Sequence, residues 1–254
     1  MTIVVALFGG LFGMAIGSFL NVCIHRLPLG ESVVTPRSRC PGCGHAIGWR
    51  DNIPVVSWLM LRGKCRGCGE PISIRYPLVE LACGALWLAA ILVWGAEWQA
   101  LVMAVFFTIL LGIALTDLSH YIIPDAFSIG GLIMGLALAL LPGGLTIVQA
   151  AIGAVLGFGL LFVVAWLGEW IFRKPAMGGG DIKMMAMVGA FLGPVGVVLT
   201  IFLGALLGSL IFGPISLKTG KLVPFGIFLA LGALVTAIWG DAMIDWYVQT
   251  FFPA

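Results

Sequence analysis

The chain has 254 residues, 61% of them hydrophobic and only 9% charged, with a formal net charge of +2 and a mean hydropathy of +1.14. Globular domains carry about 25% charged residues, so a water-covered surface is excluded and lipid has to be the solvent. A membrane β-barrel is excluded as well, because no run alternates in polarity over about ten residues. Apolar runs near the roughly 20 residues that cross hydrocarbon as a helix predict an all-α, polytopic membrane protein with about eight transmembrane helices.

The first span is expected at residues 3–22. No basic residue precedes it and His25-Arg26 follow it, the reverse of a secretory signal peptide. An uncleaved span with its N-terminus outside is therefore expected. Gly9, Gly13 and Gly17 have the small-xxx-small spacing of helices that pack closely in lipid.

Residues 25–76 form a polar loop that holds eight of the 13 Lys and Arg residues, from Arg26 to Arg75. Such basic residues mark cytoplasmic loops. Within the loop, Cys40-Pro-Gly-Cys43 and Cys65-Arg-Gly-Cys68 are two CxxC knuckles separated by 21 residues. Four thiolates so spaced can meet tetrahedrally around Zn²⁺, which predicts a zinc-ribbon-like loop between helices 1 and 2. Disulfides are disfavoured in a reducing cytoplasm, and a redox CxxC needs a βαβ setting that is absent. A Cys40, Cys43, Cys65, Cys68 set leaves no open position, so the metal is expected to be structural. His25 and His45 are then surplus, and Cys23 and Cys83 read as small buried hydrophobes. The loop's basic charge suits anionic lipid headgroups.

Further spans are expected at 78–95 and 99–116, joined by a turn with Glu97, and at 126–141 and 147–172 around Pro142-Gly143-Gly144. Arg173, Lys174 and Lys183 then return the chain to the basic side. Residues 184–215 are apolar throughout, with a break at Gly193-Pro194. Two short spans or a re-entrant hairpin there keep Lys218 and Lys221 with the other basic residues. The last span is expected at 225–239, leaving Glu97, Asp241 and Asp245 as the charged residues outside.

Five carboxylates lie at or within the spans. Glu80 suits the positive dipole of a helix's first turn, Asp125 an N-cap, and Glu169 an i,i+4 pair with Arg173. Asp117 differs, because a carboxylate at the C-terminal end of a helix opposes its dipole. Asp181 follows Gly178-Gly179-Gly180, either as a cap or as a second acid. Two carboxylates brought together share one proton, and one can activate water while the other donates a proton. The glycines leave room for an extended substrate backbone. The same acids could instead serve a proton- or cation-coupled transporter, or be structural in an assembly protein.

The segments GSFLNVCIHRLP (17–28), NIPVVSWLMLRGKC (52–65), ISIRYPLVE (72–80), TDLSHYIIPD (116–125), GGGDIKMMAMVGAFLG (178–193) and VPFGIFLALG (223–232) carry a family likeness. With both knuckles, they resemble the type IV prepilin peptidases, the leader peptidase and N-methyltransferase family of pilus and type II secretion systems. The GGGD element resembles the GxGD signature of aspartyl intramembrane proteases. The resemblance implies an aspartic endopeptidase of the bacterial inner membrane with Asp117 and Asp181 catalytic and Gly178, Gly179 and Gly180 as a substrate loop. It implies prepilin or pseudopilin substrates cut on the cytoplasmic side, then N-methylation from S-adenosylmethionine. Ser119 departs from the pattern, since many members carry a second acid there. Methyl transfer rests on the likeness alone, because no GxGxxG turn lies between a strand and a helix. A peptidase without it is the alternative, and no nucleic-acid partner is expected. The implied domains are a first helix (1–24), a Cys₄ loop with the methyltransferase region and adjoining helix ends (25–76), and a multi-helix protease domain (77–254).

Overall fold

The structure, a computed structural model, describes residues 2–174, 177–219 and 224–252, with only the backbone course given for 212–219. Lys221 and the side chain of Lys218 lie outside the described residues. The described chain is helical: α1 (Thr2–Arg26), α2 (Val56–Met60), α3 (Arg75–Trp94), α4 (Trp98–His120), α5 (Asp125–Leu138), α6 (Ile147–Phe172), α7 (Gly179–Thr219) and α8 (Phe225–Phe251). The two short pairings Arg39–Ala46 and Lys64–Pro71 are isolated bridges.

Among the described residues, six helices (α1, α3, α4, α6, α7 and α8) are long and apolar enough to cross a membrane. The eight expected spans all recur as helix, because α5 is a shorter apolar helix and α7 supplies two arms. Gly193 sits inside α7 at φ 71° and ψ −175°, outside any helical conformation. A Cβ placed on Gly157 would meet both Met185 and Val197. In one straight helix those residues would stand about 18 Å apart. The chain therefore doubles back at Gly193, and α7 is a hairpin of arms 179–192 and 194–219.

The residues group into two compact units, Met1–Thr108 and Ile109–Ala254. In the first, α1 and α3 run antiparallel at close range, with Gly17 against Glu80 and Cys83, Gly13 against Trp87, and Gly10 against Gly84. A Cβ on Gly17 would lie 2.8 Å from the Glu80 Cα. The small-residue stripe therefore does what its spacing implied, letting two backbones approach where lipid offers no hydrophobic drive.

The second unit repeats this device twice. The Gly153 and Gly189 backbones of α6 and α7 touch, so that a Cβ on either would strike the other's carbonyl. Between the second arm and α8, Gly232 faces the Thr200 carbonyl and Gly204 faces Leu229. The first arm runs parallel to α5, with Gly131 on Met187 and Gly135 on Phe191. Helix α6 starts with a capping box, Thr146 and Gln149 satisfying each other's backbone N–H groups.

Three local expectations change. Asp125 does not cap α5: Pro124 occupies the N-cap position, and Asp125, one residue inside the helix, pairs with Lys183 at 2.7 Å. Glu169 and Arg173 are not paired through their side chains. Arg173 is the left-handed C-cap (φ 52°), which takes its side chain off the i,i+4 row, and its N–H reaches the Glu169 carbonyl at 2.8 Å. Glu80 lies in the second turn of α3, where its carboxylate accepts the Val55 N–H at 2.7 Å instead of facing a helix terminus.

Candidate active site

Asp117 stands in the last turn of α4 and is 6% exposed. Its neighbour Thr116 is fully buried and spends its hydroxyl on the Gly112 and Ile113 carbonyls at 2.9 and 3.0 Å. A carboxylate here opposes the dipole of α4, and the structure supplies the compensation. Asp117 Oδ2 accepts the Ile227 N–H at 3.1 Å, from the first turn of α8. That turn begins after Pro224, which has no side-chain cap to offer. Asp117 thus caps α8 from 110 residues away, and its charge meets the positive end of a second dipole. Gly226 makes room for it: a Cβ there would lie 2.9 Å from the same oxygen.

Helix α4 ends through Tyr121 at φ 55°, whose N–H returns to the Asp117 carbonyl at 2.9 Å. The next residues carry Ile123 between the two neighbouring helix starts. Ile123 lies 3.0 Å from a Cβ position on Gly180 and 2.8 Å from one on Gly226. Asp181 follows in the first turn of α7, where the dipole favours it. It is half-buried and near enough to Asp117 for the two charges to interact. Its N–H bonds the Gly178 carbonyl at 3.2 Å.

The end of α4 and the starts of α7 and α8 thus meet around two carboxylates. Gly179 has open space where a side chain would stand, and a Cβ on Gly178 would meet only the Asp181 carboxylate. Ser119 is exposed and returns its hydroxyl to the Leu115 carbonyl at 2.7 Å. Sequence reasoning found both acids but not Ile227 or Gly226. The available signal was a helix start, Val-Pro-Phe-Gly, that lacks its own cap.

The first unit holds the second cluster. The four Sγ atoms of Cys40, Cys43, Cys65 and Cys68 lie within 4.8 Å of one another, with Cys40–Cys68 at 3.8 Å and Cys43–Cys65 at 4.0 Å. Zn–S bonds of about 2.3 Å in a tetrahedron put sulfurs about 3.8 Å apart, so the residues present fit a metal ion. The two knuckles are built alike. Cys40 N–H bonds His45 O and Gly44 N–H bonds Cys40 O, while Cys65 N–H bonds Glu70 O and Gly69 N–H bonds Cys65 O. Gly44 and Gly69 close the turns at φ 70° and 76°, a region glycine enters without strain. The backbone N–H groups of Cys68 and Gly67 draw the Cys65 thiol down to about 6, so one sulfur is already a thiolate at neutral pH. Arg66, inside the second knuckle, holds Asp51 in a two-pronged ion pair at 2.7 Å. Neither His25 nor His45 joins the four sulfurs, and Cys23 and Cys83 are buried.

Two family models match the chain: Bacterial Peptidase A24 N-terminal domain over residues 11–94, and Type IV leader peptidase family over residues 104–213. Among curated relatives, a prepilin leader peptidase/N-methyltransferase of Myxococcus xanthus is 41% identical over 227 residues, covering 89% of this chain and 64% of that protein. One of the same description from Aeromonas hydrophila is 36% identical over 272 aligned residues, covering 95% and 93%. Another, from Pseudomonas aeruginosa, is 36% identical over 268, covering 94% and 92%. No solved structure matches. On this evidence the chain belongs to the type IV leader peptidase family.

Proposed function

We propose that the protein is a membrane aspartic endopeptidase that removes the leader of type IV prepilins or pseudopilins, with Asp117 and Asp181 as its catalytic acids. The observation that carries this reading is the meeting of two carboxylates, 64 positions apart, at the junction of three helix ends beside open glycines. One carboxylate takes a proton from water as the oxygen attacks the scissile carbonyl, and the other donates its proton to the carbonyl oxygen. The tetrahedral adduct then collapses: the first acid passes its proton to the leaving nitrogen, the C–N bond breaks, and the second acid regains a proton from the adduct's hydroxyl. Ile227 N–H and Gly226 hold Asp117 in place, and Gly178, Gly179 and Gly180 leave space for the substrate backbone.

Arg173, Lys174 and Lys183 flank the start of α7. Positive charge marks the cytoplasmic side, which supports a cytoplasm-facing site in the inner membrane. The Cys₄ cluster suits Zn²⁺ held by all four thiolates. A closed site of this kind supplies folding free energy and no catalytic position. Methylation of the new N-terminus from S-adenosylmethionine is supported by the relatives' descriptions, with residues 25–76 and the adjoining helix ends as its proposed region. S-adenosylmethionine would supply the methyl group. Membership in a peptidase family weighs against the transporter reading.

The test is an assay of purified protein on a prepilin, with and without S-adenosylmethionine, read by mass spectrometry. Leader removal in both, with one added methyl group only when the donor is present, is expected. An uncut prepilin would refute the peptidase, and a cut but unmethylated product would reduce the protein to a peptidase alone.

A further inference from the structure

The segment between the two cysteine knuckles reads, by sequence, as part of a polar, basic cytoplasmic loop. Its hydrogen bonds place it elsewhere. The Val55 N–H reaches Glu80 Oε2 at 2.7 Å. Glu80 is five residues past Arg75, the first residue of α3, or about 7.5 Å along the helix axis. It also faces Gly17, nine residues before the end of α1. Val55 therefore lies beside the first two turns of α3, and α2 starts at the next position.

Around that anchor the segment is closed on itself. Ser57 Oγ accepts the Ile53 N–H at 2.9 Å and donates to the Arg50 carbonyl at 2.8 Å. Trp58 Nε1 donates to the Ile72 carbonyl at 3.0 Å, and its ring packs on Gly63. Ser57 and Trp58 thus turn inward. Val56, Leu59 and Met60, at the i, i+3, i+4 positions of one helix face, turn outward with exposures of 48%, 61% and 76%. Leu78 and Leu81, on the turns of α3 beside Glu80, are exposed as well. Arg50, Arg62 and Lys64 lie within six residues of α2 in the chain and are exposed, and the exposed Trp49 lies under the Arg50 guanidinium. Residues 25–76 hold eight basic residues against three acidic ones, Glu31, Asp51 and Glu70.

We propose that α2 is an interfacial foot: Val56, Leu59 and Met60 insert at the headgroup–acyl boundary of an anionic leaflet, with Arg50, Arg62 and Lys64 against its phosphates. Exposed apolar residues beside the start of a membrane helix, in a segment rich in exposed cations, are the pattern that holds a short helix in that plane. The cysteine knuckles on either side are thereby tethered at the membrane surface.

The test uses full-length, zinc-loaded protein in vesicles of phosphatidylethanolamine and phosphatidylglycerol, part of it brominated on the acyl chain near the glycerol. One environment-sensitive fluorescent amino acid replaces Met60 in one protein and Arg37 in another. Loss of most emission at position 60, with position 37 near its unquenched value, is expected. Leu59→Asp in the position-60 protein should restore much of that emission while zinc content stays unchanged. Equal quenching at both positions, or none at position 60, would overturn the proposal. So would energy transfer between copies at position 60 that survives dilution with lipid, since a second copy would then cover the face. Prepilin cleavage read in the same vesicles keeps this result separate from the peptidase reading.

Discussion

The cysteine cluster and the aspartate pair are two ways of bringing distant residues together. In the first, each half is a turn of four residues, closed by its own backbone hydrogen bonds and a left-handed glycine. Only the meeting of two finished halves is left, and a metal ion on the four sulfurs would supply it. In the second, nothing local suffices. Asp117 depends on a backbone N–H 110 residues later, and Asp181 on a hairpin whose arms fit because glycines let backbones touch. One site suits a bound metal and the other rests on packing, so they should fail under different insults.

Metal removal should give the largest effect, and only at the first site. Structural zinc contributes about 10 kcal/mol or more to folding. Cys40→Ser with Cys65→Ser should abolish zinc binding by elemental analysis and open residues 38–72 to hydrogen exchange, leaving α6–α8 protected. Stoichiometric zinc in that double variant would exclude the Cys₄ site. Acid should act in the same direction. The Cys65 thiol is lowered from 9.0 to about 6, so its stabilising thiolate is fully present above about pH 9 and is lost as pH falls through about 6.

At the second site, Asp117→Asn and Asp181→Asn should each lower cleavage about ten-thousandfold, or about 5.5 kcal/mol, with the double variant hardly worse. Zinc content and yield should not change. Brisk cleavage by either well-folded single variant would end the two-acid mechanism. Packing gives the next effect. Gly153→Leu would push a side chain into the Gly189 backbone, and overpacking costs about 1–3 kcal/mol. Gly159→Ala, where nothing lies within 4 Å, should be neutral or slightly stabilising in detergent melting curves. Equal melting of the two would mean the α6–α7 crossing is not close.

The smallest effects belong to the exposed ion pairs. Asp125→Asn breaks the pair with Lys183, whose partners are 59% and 41% exposed, and should cost less than about 1 kcal/mol. Arg66 holds the Asp51 carboxyl below its usual range. That pair therefore contributes above the ordinary carboxylate range and is lost as pH falls beneath it.

Legibility followed the same division. The knuckles could be read because both ligands of each half lie three positions apart, and the break in α7 because proline follows Gly193. Both acids could be picked out, since charge in an apolar run stands out. Their supports could not, because Ile227 acts through a backbone N–H that any residue but proline carries. Gly153 and Gly157 repeat the spacing seen in α1, but spacing does not say that Gly153 faces Gly189 and Gly193 or that Gly157 faces Met185. Helix α2, at five residues, is too short for a periodic signal, and the Val55–Glu80 bond that sets its level links residues 25 apart.

The lengths of two neighbouring helices have a consequence for the lipid around them. Helix α5 has 14 residues and the first arm of α7, residues 179–192, has as many, so each rises about 21 Å. The hydrocarbon layer is about 30 Å thick. Running parallel and in contact, both fall short by about 9 Å, and the arm of α7 carries Asp181 in its first turn. Beside them the bilayer has to thin, or water has to dip inward to meet the carboxylates. Such hydrophobic mismatch has an energy that scales with thickness, which couples the acyl-chain length of the host membrane to water's access to Asp117 and Asp181.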